Sequence, residues 1–404
     1  MLEFTSIPDT WASVLLGREV DPVLSMIRNG LTLPQDKNKG SYKITRIETI
    51  GDGYINEDRV RYVSNVSKET VEKYLIRKDD ILFSHINSDP HIGKTAIATH
   101  DYPDLLHGMN LLLLRPNSEV VEPYFLHSVF CFYRQIGVFI KICARAVNQS
   151  SINQEKLRAL EIPLPPITEQ QRITYVLSTV QTAIEQQERL IKLTRELRSA
   201  LMHKLFTEGL RGERQKMTEI GPVPKSWEIK PFETFTTLQR GKDLTKNEFK
   251  GGNIPVAGSN GIIGYHNTAF VKGPGVTVGR SGSTGKVIFY EQDFWAHNTS
   301  LYVKDFHDND PRFAAYYLEI LNLGRFKTGA SVPTLDRNAF KHLPITVPKK
   351  EEQIEIGRII MTIDNKIELA NAKKVTLEEL FRTLLNQLMT GQIRVNEIDL
   401  PGFS

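Results

Sequence analysis

The sequence predicts an α+β protein built as an internal repeat, with two similar globular domains separated by two long helices that pair with each other. Three observations predict it. The stretch from Leu157 to Arg211 matches that from Phe340 to Arg394 at a constant offset of 183 positions, without a gap. That is duplication rather than two chance amphipathic segments. In both copies the apolar residues alternate at four and three positions, the period of a coiled-coil seam. Ahead of each copy lie short β-branched and aromatic runs punctuated by glycine, asparagine and aspartate, the pattern of many brief strands.

The expected order is a first domain over 1–160, a first long helix over 161–210, a linker and second domain over 211–345, a second long helix over 346–392 and a tail over 393–404. Each domain opens on a proline and a tryptophan, Pro8/Trp11 and Pro224/Trp227. Strand candidates in the first are Tyr42 to Ile50, Ile81 to Ser84, Thr95 to Thr99 and Leu111 to Leu114. In the second they are Val276 to Val278, Val287 to Tyr290 and Leu301 to Val303. Helical periodicity marks Pro123 to Gly137 and Pro311 to Leu323. Both domains close on a proline-bounded apolar run, Leu160-Glu161-Ile162-Pro163-Leu164-Pro165-Pro166 and Leu343-Pro344-Ile345-Thr346-Val347-Pro348. A Glu-Gln pair then opens each helix, Glu169-Gln170 and Glu352-Gln353. The glycine-rich linker Glu208 to Pro224 breaks the first helix.

The seam of the first helix is Ile173, Leu177, Val180, Ile184, Ile191, Leu201 and Leu205, interrupted by Gln187, Thr194 and Arg198. That of the second is Ile356, Ile360, Ile363, Ile367, Ala370, Leu377, Phe381, Leu384 and Leu388, interrupted by Lys374. It reads as a heptad seam rather than the broader stripe of a helix packed on a globular core. At 1.5 Å per residue the first helix should be roughly 55 to 60 Å long. A seam of that length needs a partner, and the other copy supplies one. The sequence leaves either pairing direction open; antiparallel pairing would give approximate two-fold symmetry.

Hydrophobic content of 40% and charge of 24% are those of an ordinary globular protein, and a net charge of +4 permits a nucleic-acid partner without arguing for one. Cys131 and Cys143 read as small buried hydrophobes, with no disulfide framework or zinc spacing. The lack of a basic, apolar leader and of any 18-residue apolar run predicts cytoplasmic residence and no membrane partner. The Asn-X-Ser/Thr triplets at Asn65, Asn148 and Asn298 are then accidental.

As an enzyme the sequence reads as empty. It has no Asn/Asp-Pro-Pro-Tyr tetrapeptide for amino-methyl transfer and no discernible nucleophile constellation. The loop Gly279-Arg280-Ser281-Gly282-Ser283-Thr284-Gly285-Lys286 looks like a phosphate cradle, but it lacks the Walker spacing and leads into an expected strand instead of a helix. His85, His91, His100 and His107 lie near Asp89, Asp101 and Asp104 without metal-ligand spacing, so no metal site is expected.

Polar and basic loops remain, and they recur in both halves. Ser84, His85, Asn87 and Ser88 precede Lys94; Arg280, Ser281, Ser283 and Thr284 precede Lys286. Arg145, Asn148, Gln149 and Ser150 sit at the same repeat position as Lys327, Ser331 and Thr334. Arg28-Asn29-Gly30 is echoed by Gln239-Arg240-Gly241, which adds Arg28, Arg240 and Lys242. These side chains pair with phosphates and base edges, although ordinary turns favour the same residue types. Recurrence at matching positions raises the reading of DNA contact beside that of ordinary turns.

With the Pro-Trp starts, the proline-bounded runs, the two Glu-Gln pairs and the 183-residue period in place, the chain resembles the specificity (S) subunits of type I restriction-modification systems over essentially its whole length. The resemblance implies two target recognition domains, each reading one half of a bipartite, asymmetric site in double-stranded DNA. An antiparallel coiled coil would hold them apart and set the spacer. It implies no catalysis and no cofactor in this chain. S-adenosylmethionine would sit on methyltransferase (M) subunits, two of them, docked on exposed helix faces, with ATP and Mg on restriction (R) subunits joining the complex. Alternative readings are a non-enzymatic coiled-coil protein-binding scaffold and an orphan specificity protein serving a stand-alone methyltransferase.

Overall fold

The computed structural model describes residues 8–20, 22–51, 53–146, 149–329, 333–398, 400, 401 and 403. Two of the candidate contact residues, Asn148 and Ser331, lie outside them. The chain forms two compact units, 1–186 with 374–404, and 187–373.

In the first unit, an antiparallel sheet runs in the order Leu24–Asn29, Leu111–Pro116, Ile81–Ser84, Thr95–Ile97. Ile81–Ser84 is buried along its whole length, which explains its unbroken apolar run. A three-stranded sheet joins Arg61–Val63, Tyr42–Ile44 and Leu105–Leu106, the last pair parallel. Ala12–Leu15 pairs with Glu161–Leu164 and so ties the start of the domain to its proline-bounded exit.

The second unit repeats this topology. Its antiparallel sheet runs Thr237–Arg240, Ser300–Asp305, Gly275–Gly279, Val287–Tyr290. Its three-stranded sheet joins Gly261–His266, Ile254–Gly258 and Trp295–Ala296, again with the last pair parallel. Glu228–Pro231 pairs with Pro344–Val347 at the exit. The duplication therefore extends through the domains, where sequence likeness is faint. One helix per unit covers the larger sheet, Pro123–Gln135 and Pro311–Leu321. Each has an acidic N-cap followed by proline, Glu122-Pro123 and Asp310-Pro311, because the cap carboxylate accepts an orphan amide and proline needs no donor there.

The long helices are Ile167–Glu208, 42 residues, and Lys350–Met389, 40 residues, about 63 and 60 Å at 1.5 Å per residue. In the first unit Ile173 and Leu177, near the start of one helix, share a core with Leu385, Leu388 and Met389 near the end of the other. In the second, Met202, Leu205 and Phe206 share a core with Ile356 and Ile360. The helices pair antiparallel. Every expected seam residue is buried or half-buried. The reading of a bare heptad seam needs correction at the ends, where Met202, Phe206, Leu385 and Met389 widen the buried stripe. There each helix packs on its globular domain as well as on its partner.

Three other expectations change. The run Tyr42 to Ile50 is a strand only over Tyr42–Ile44 and then tightens into a 3-10 turn at Ile47–Thr49. The linker contains a hairpin, Gln215–Thr218 with Gly221–Pro224. Cys131 and Cys143 are half-buried rather than fully buried.

Candidate nucleic-acid interface

In each unit the polar loops gather at one end of the larger sheet. In the first, Leu24–Asn29 and Ile81–Ser84 finish at this end and Leu111–Pro116 begins there. The short strand Ile86–Asn87 leaves Ser84 and pairs with Gln149–Ser151, aligning Asn87 with Ser150 and Ile86 with Ser151. Two loops far apart in sequence thus become neighbours. Arg145 forms an ion pair with Asp89 at 3.4 Å while 63% of its side chain stays exposed, and the Ser150 hydroxyl donates to the same carboxylate. Gln149 and Ser88 are exposed.

Burial sorts the rest. Ser84 is fully buried, and its Oγ accepts from Asn87 Nδ2 at 2.9 Å. Asn87 Oδ1 in turn accepts the Ser88 amide at 2.9 Å. Ser84 and Ser150, 0% and 1% exposed, offer no surface of their own; they brace Asn87 and Asp89. His85 is half-buried, burial lowers its pKa to about 4, and among the described residues its Nδ1 has no partner, so at neutral pH it is an uncharged ring. It cannot act as a phosphate-binding cation. Lys94 is half-buried beside it, its carbonyl accepting the Ser84 amide at 2.8 Å.

Arg28 lies one residue before this end, on the other face of the sheet. Strand alternation turns it to the face opposite Asn29. Its guanidinium donates to the Lys73 carbonyl and lies 5.7 Å from the centre of the Tyr74 ring. The residue at the sheet end is Asn29. Its Oδ1 accepts from Gln154 Nε2 at 3.2 Å, and both line a cleft of about 400 Å³ with His85, Ile86 and Asn153.

The second unit repeats the arrangement with other side chains. The loop 279–286 bridges to the following polar stretch: Leu335 donates to the Arg280 carbonyl at 2.8 Å, Ser281 pairs with Thr334, and Thr284 Oγ1 donates to the Pro333 carbonyl at 3.3 Å. Ser283 is half-buried within it. The tight path needs glycine. A Cβ on Gly279 would meet the Ser283 carbonyl oxygen at 2.0 Å, and Gly285, at φ +84°, faces the Gly324 backbone. The loop leads into the strand Val287–Tyr290, so its amides do not open a helix. Lys286 Nζ donates to the Asn260 carbonyl at 3.0 Å and to its Oδ1 at 2.7 Å, fixing the neighbouring hairpin tip. Arg240, Lys242 and Lys327 are exposed, with Lys242 Nζ 4.5 Å from the Phe270 ring centre.

The structure also brings Asn29, Gln154, Asn260 and Arg337 to these sheet ends, none of them among the sequence candidates. Two signals were available. Aligning Gly30 with Gly241 places Asn29, not Arg28, opposite Arg240, and the 183-residue offset places Gln154 opposite Arg337. Among the described residues no three or more His, Cys, Asp or Glu side chains are grouped to hold a metal ion.

The model of the type I restriction modification DNA specificity domain matches this chain twice, over residues 19–195 and 224–379. The chain belongs to that family. The MjaX specificity subunit, from a type I restriction enzyme of Methanocaldococcus jannaschii, is 34% identical over 97% of this chain and 96% of its own length. The MjaVIII specificity subunit of the same organism is 21% identical over 97% and 95%. The solved S subunit of a type I restriction-modification system from M. genitalium shares the fold, with a TM-score of 0.65 over 94% of this chain and 96% of that one at 18% identity. As a type I specificity subunit the chain is a non-catalytic DNA-recognition component of a restriction-modification complex. Among the described residues no helix is long and apolar enough to cross a membrane.

Proposed function

We propose that each unit reads one half of a split, asymmetric sequence in double-stranded DNA, and that the paired helices set the length of the unread spacer between the halves. One observation carries this reading: two units of the same topology present different polar side chains from the matching ends of their own larger sheets. A shared frame with divergent loops suits two different half-sites, as two docked modules of fixed separation suit a fixed spacing.

Two methyltransferase subunits dock on outward helix faces and bring S-adenosylmethionine; restriction subunits join with ATP and Mg, and the complex works in the cytoplasm on host DNA. In support of docking, Leu190, Leu193 and Leu197 stand about half exposed along one face of the first long helix, an apolar stripe that the described residues leave open. Coexpression with a candidate methyltransferase subunit, followed by single-base mapping of methylated adenines, tests the proposal. One motif with two short defined halves around a fixed gap is expected. A stable complex that leaves host DNA unmethylated would favour a protein-binding scaffold instead.

A further inference from the structure

The cleft at the sheet end of the first unit holds two amides bonded to each other, Gln154 Nε2 to Asn29 Oδ1 at 3.2 Å. Paired head to head, two amides use one donor and one acceptor between them. At least one donor and one acceptor remain, whichever way each amide is turned. Asn29 is exposed and Gln154 half-buried, and among the described residues neither amide has another hydrogen-bond partner. A donor beside an acceptor matches the N7 acceptor and N6 donor of adenine in the major groove. Guanine presents two acceptors there and leaves the protein's acceptor facing an oxygen.

The second unit has two arginines at the equivalent positions. Arg240 ends the strand equivalent to Leu24–Asn29, and each strand is followed by a glycine that lets the chain pass close to backbone carbonyls, Gly108 for Gly30 and His297 for Gly241. The next residues form matching parallel bridges, Leu31 with Gly108 and Lys242 with His297. Arg337, one offset beyond Gln154, lies in a turn that reaches that strand, its Nη1 donating to the Leu238 carbonyl at 3.4 Å. Both arginines are exposed. Guanidinium groups carry donors only, which suits the paired acceptors N7 and O6 of guanine.

We propose that this one structural position reads a base in each half-site, with the Asn29–Gln154 amide pair specifying adenine and the Arg240/Arg337 pair specifying guanine. The proposal rests on the reading of each unit as a half-site reader and adds the residues and bases. The test uses the full chain coexpressed with its methyltransferase subunit and maps methylated motifs for wild type, Gln154→Ala, Arg337→Ala and Asn29→Arg/Gln154→Arg. Gln154→Ala should make a single position of one half-site degenerate, leaving the other half and the spacer unchanged. Arg337→Ala should do the same in the opposite half. The double arginine variant should exchange adenine for guanine at the position that Gln154→Ala relaxed. A wild-type split motif that both alanine variants leave unchanged, or alter only by lowering methylation evenly at all sites, would overturn the base assignment. The second of these outcomes would mark phosphate contacts. A wild-type complex that yields no split motif would instead sink the half-site reading itself.

Discussion

The indole Nε1 of Trp11 donates to the carboxylate of Glu169 at 3.0 Å, across 158 positions of chain. Trp227 donates to Glu352 at 3.3 Å in the second unit. The adjoining glutamines complete the pattern. Gln170 accepts the Glu122 amide at 2.9 Å, and Gln353 accepts the Asp310 amide at 2.9 Å, each holding the N-cap of the helix that covers the sheet. The Pro-Trp start and the Glu-Gln pair thus form one joint, made twice, that fixes a globular domain on its long helix.

Glu169 is 1% exposed and also accepts two hydrogen bonds from Arg394, at 2.7 and 2.9 Å. Replacing Glu169 with alanine removes the acceptor for all three donors. A loss of about 3–5 kcal/mol in the first unit is expected, as for other buried pairs broken on one side. Trp11→Phe, which deletes one donor and one of the two fused rings from a buried site, should cost about 2 kcal/mol through the lost hydrogen bond and the cavity left behind. Urea denaturation of the two variants checks the order; equal costs would contradict it.

Arg198 sits in a seam slot of the first long helix and binds Asp364 at 2.5 Å and Glu319 at 2.9 and 3.0 Å. Tyr316 donates to the same Asp364 at 2.8 Å. Removing the guanidinium leaves two carboxylates facing each other. Arg198→Ala should destabilise the second unit by about 2 kcal/mol, a charged hydrogen bond's worth, and the loss should shrink as salt rises. Denaturation at low and high salt measures both.

Burial lowers the pKa of His107 to about 3 and that of His85 to about 4, from an ordinary 6.5. The folded state therefore refuses protons that the unfolded chain accepts. As pH falls below about 6.5, stability should drop by up to roughly 1.4 kcal/mol per pH unit for each histidine, until the folded pKa is reached. The His107→Gln variant should show a shallower slope between pH 7 and 5 in urea midpoints; an unchanged slope would contradict the assignment.

Arg145 presents most of its guanidinium to solvent beside Asp89. If it contacts a phosphate, Arg145→Ala should weaken binding on all sequences alike and reduce the slope of log K against log salt by about 0.9. Titration of the assembled complex with cognate and random duplexes reads both quantities. A changed base preference would place Arg145 at a base edge.

Much of this was legible in the sequence because long-period patterns are additive. Nine turns of four-three spacing outweigh the polar interruptions at Gln187 and Thr194, and an ungapped 183-residue offset survives substitutions that hide any single motif. The strands Ile81–Ser84 and Val287–Tyr290 were found at their full extent because apolar runs bounded by polar turns admit little else. The interface was less legible. Arg28 and Asn29 are neighbours in sequence but face opposite sides of a strand, so a basic residue drew attention from the amide beside it. Ser84 and Ser150 look like any exposed hydroxyls until the sheet buries them. Arg198 reads as a flaw in the seam until Asp364 and Glu319 are brought to it.

The most direct test of the central claim lengthens the helices. Gln187 and Ala370 lie at the middles of the two long helices. Seven residues of helix-forming sequence inserted at both points preserve the heptad and add about 10 Å at 1.5 Å per residue. Methylation mapping of the complex should then return the same two half-sites, separated by a spacer longer by up to about three base pairs at 3.4 Å each. Altered bases in either half, or an unchanged spacer, would contradict the assignment of reading to the globular units and spacing to the helices.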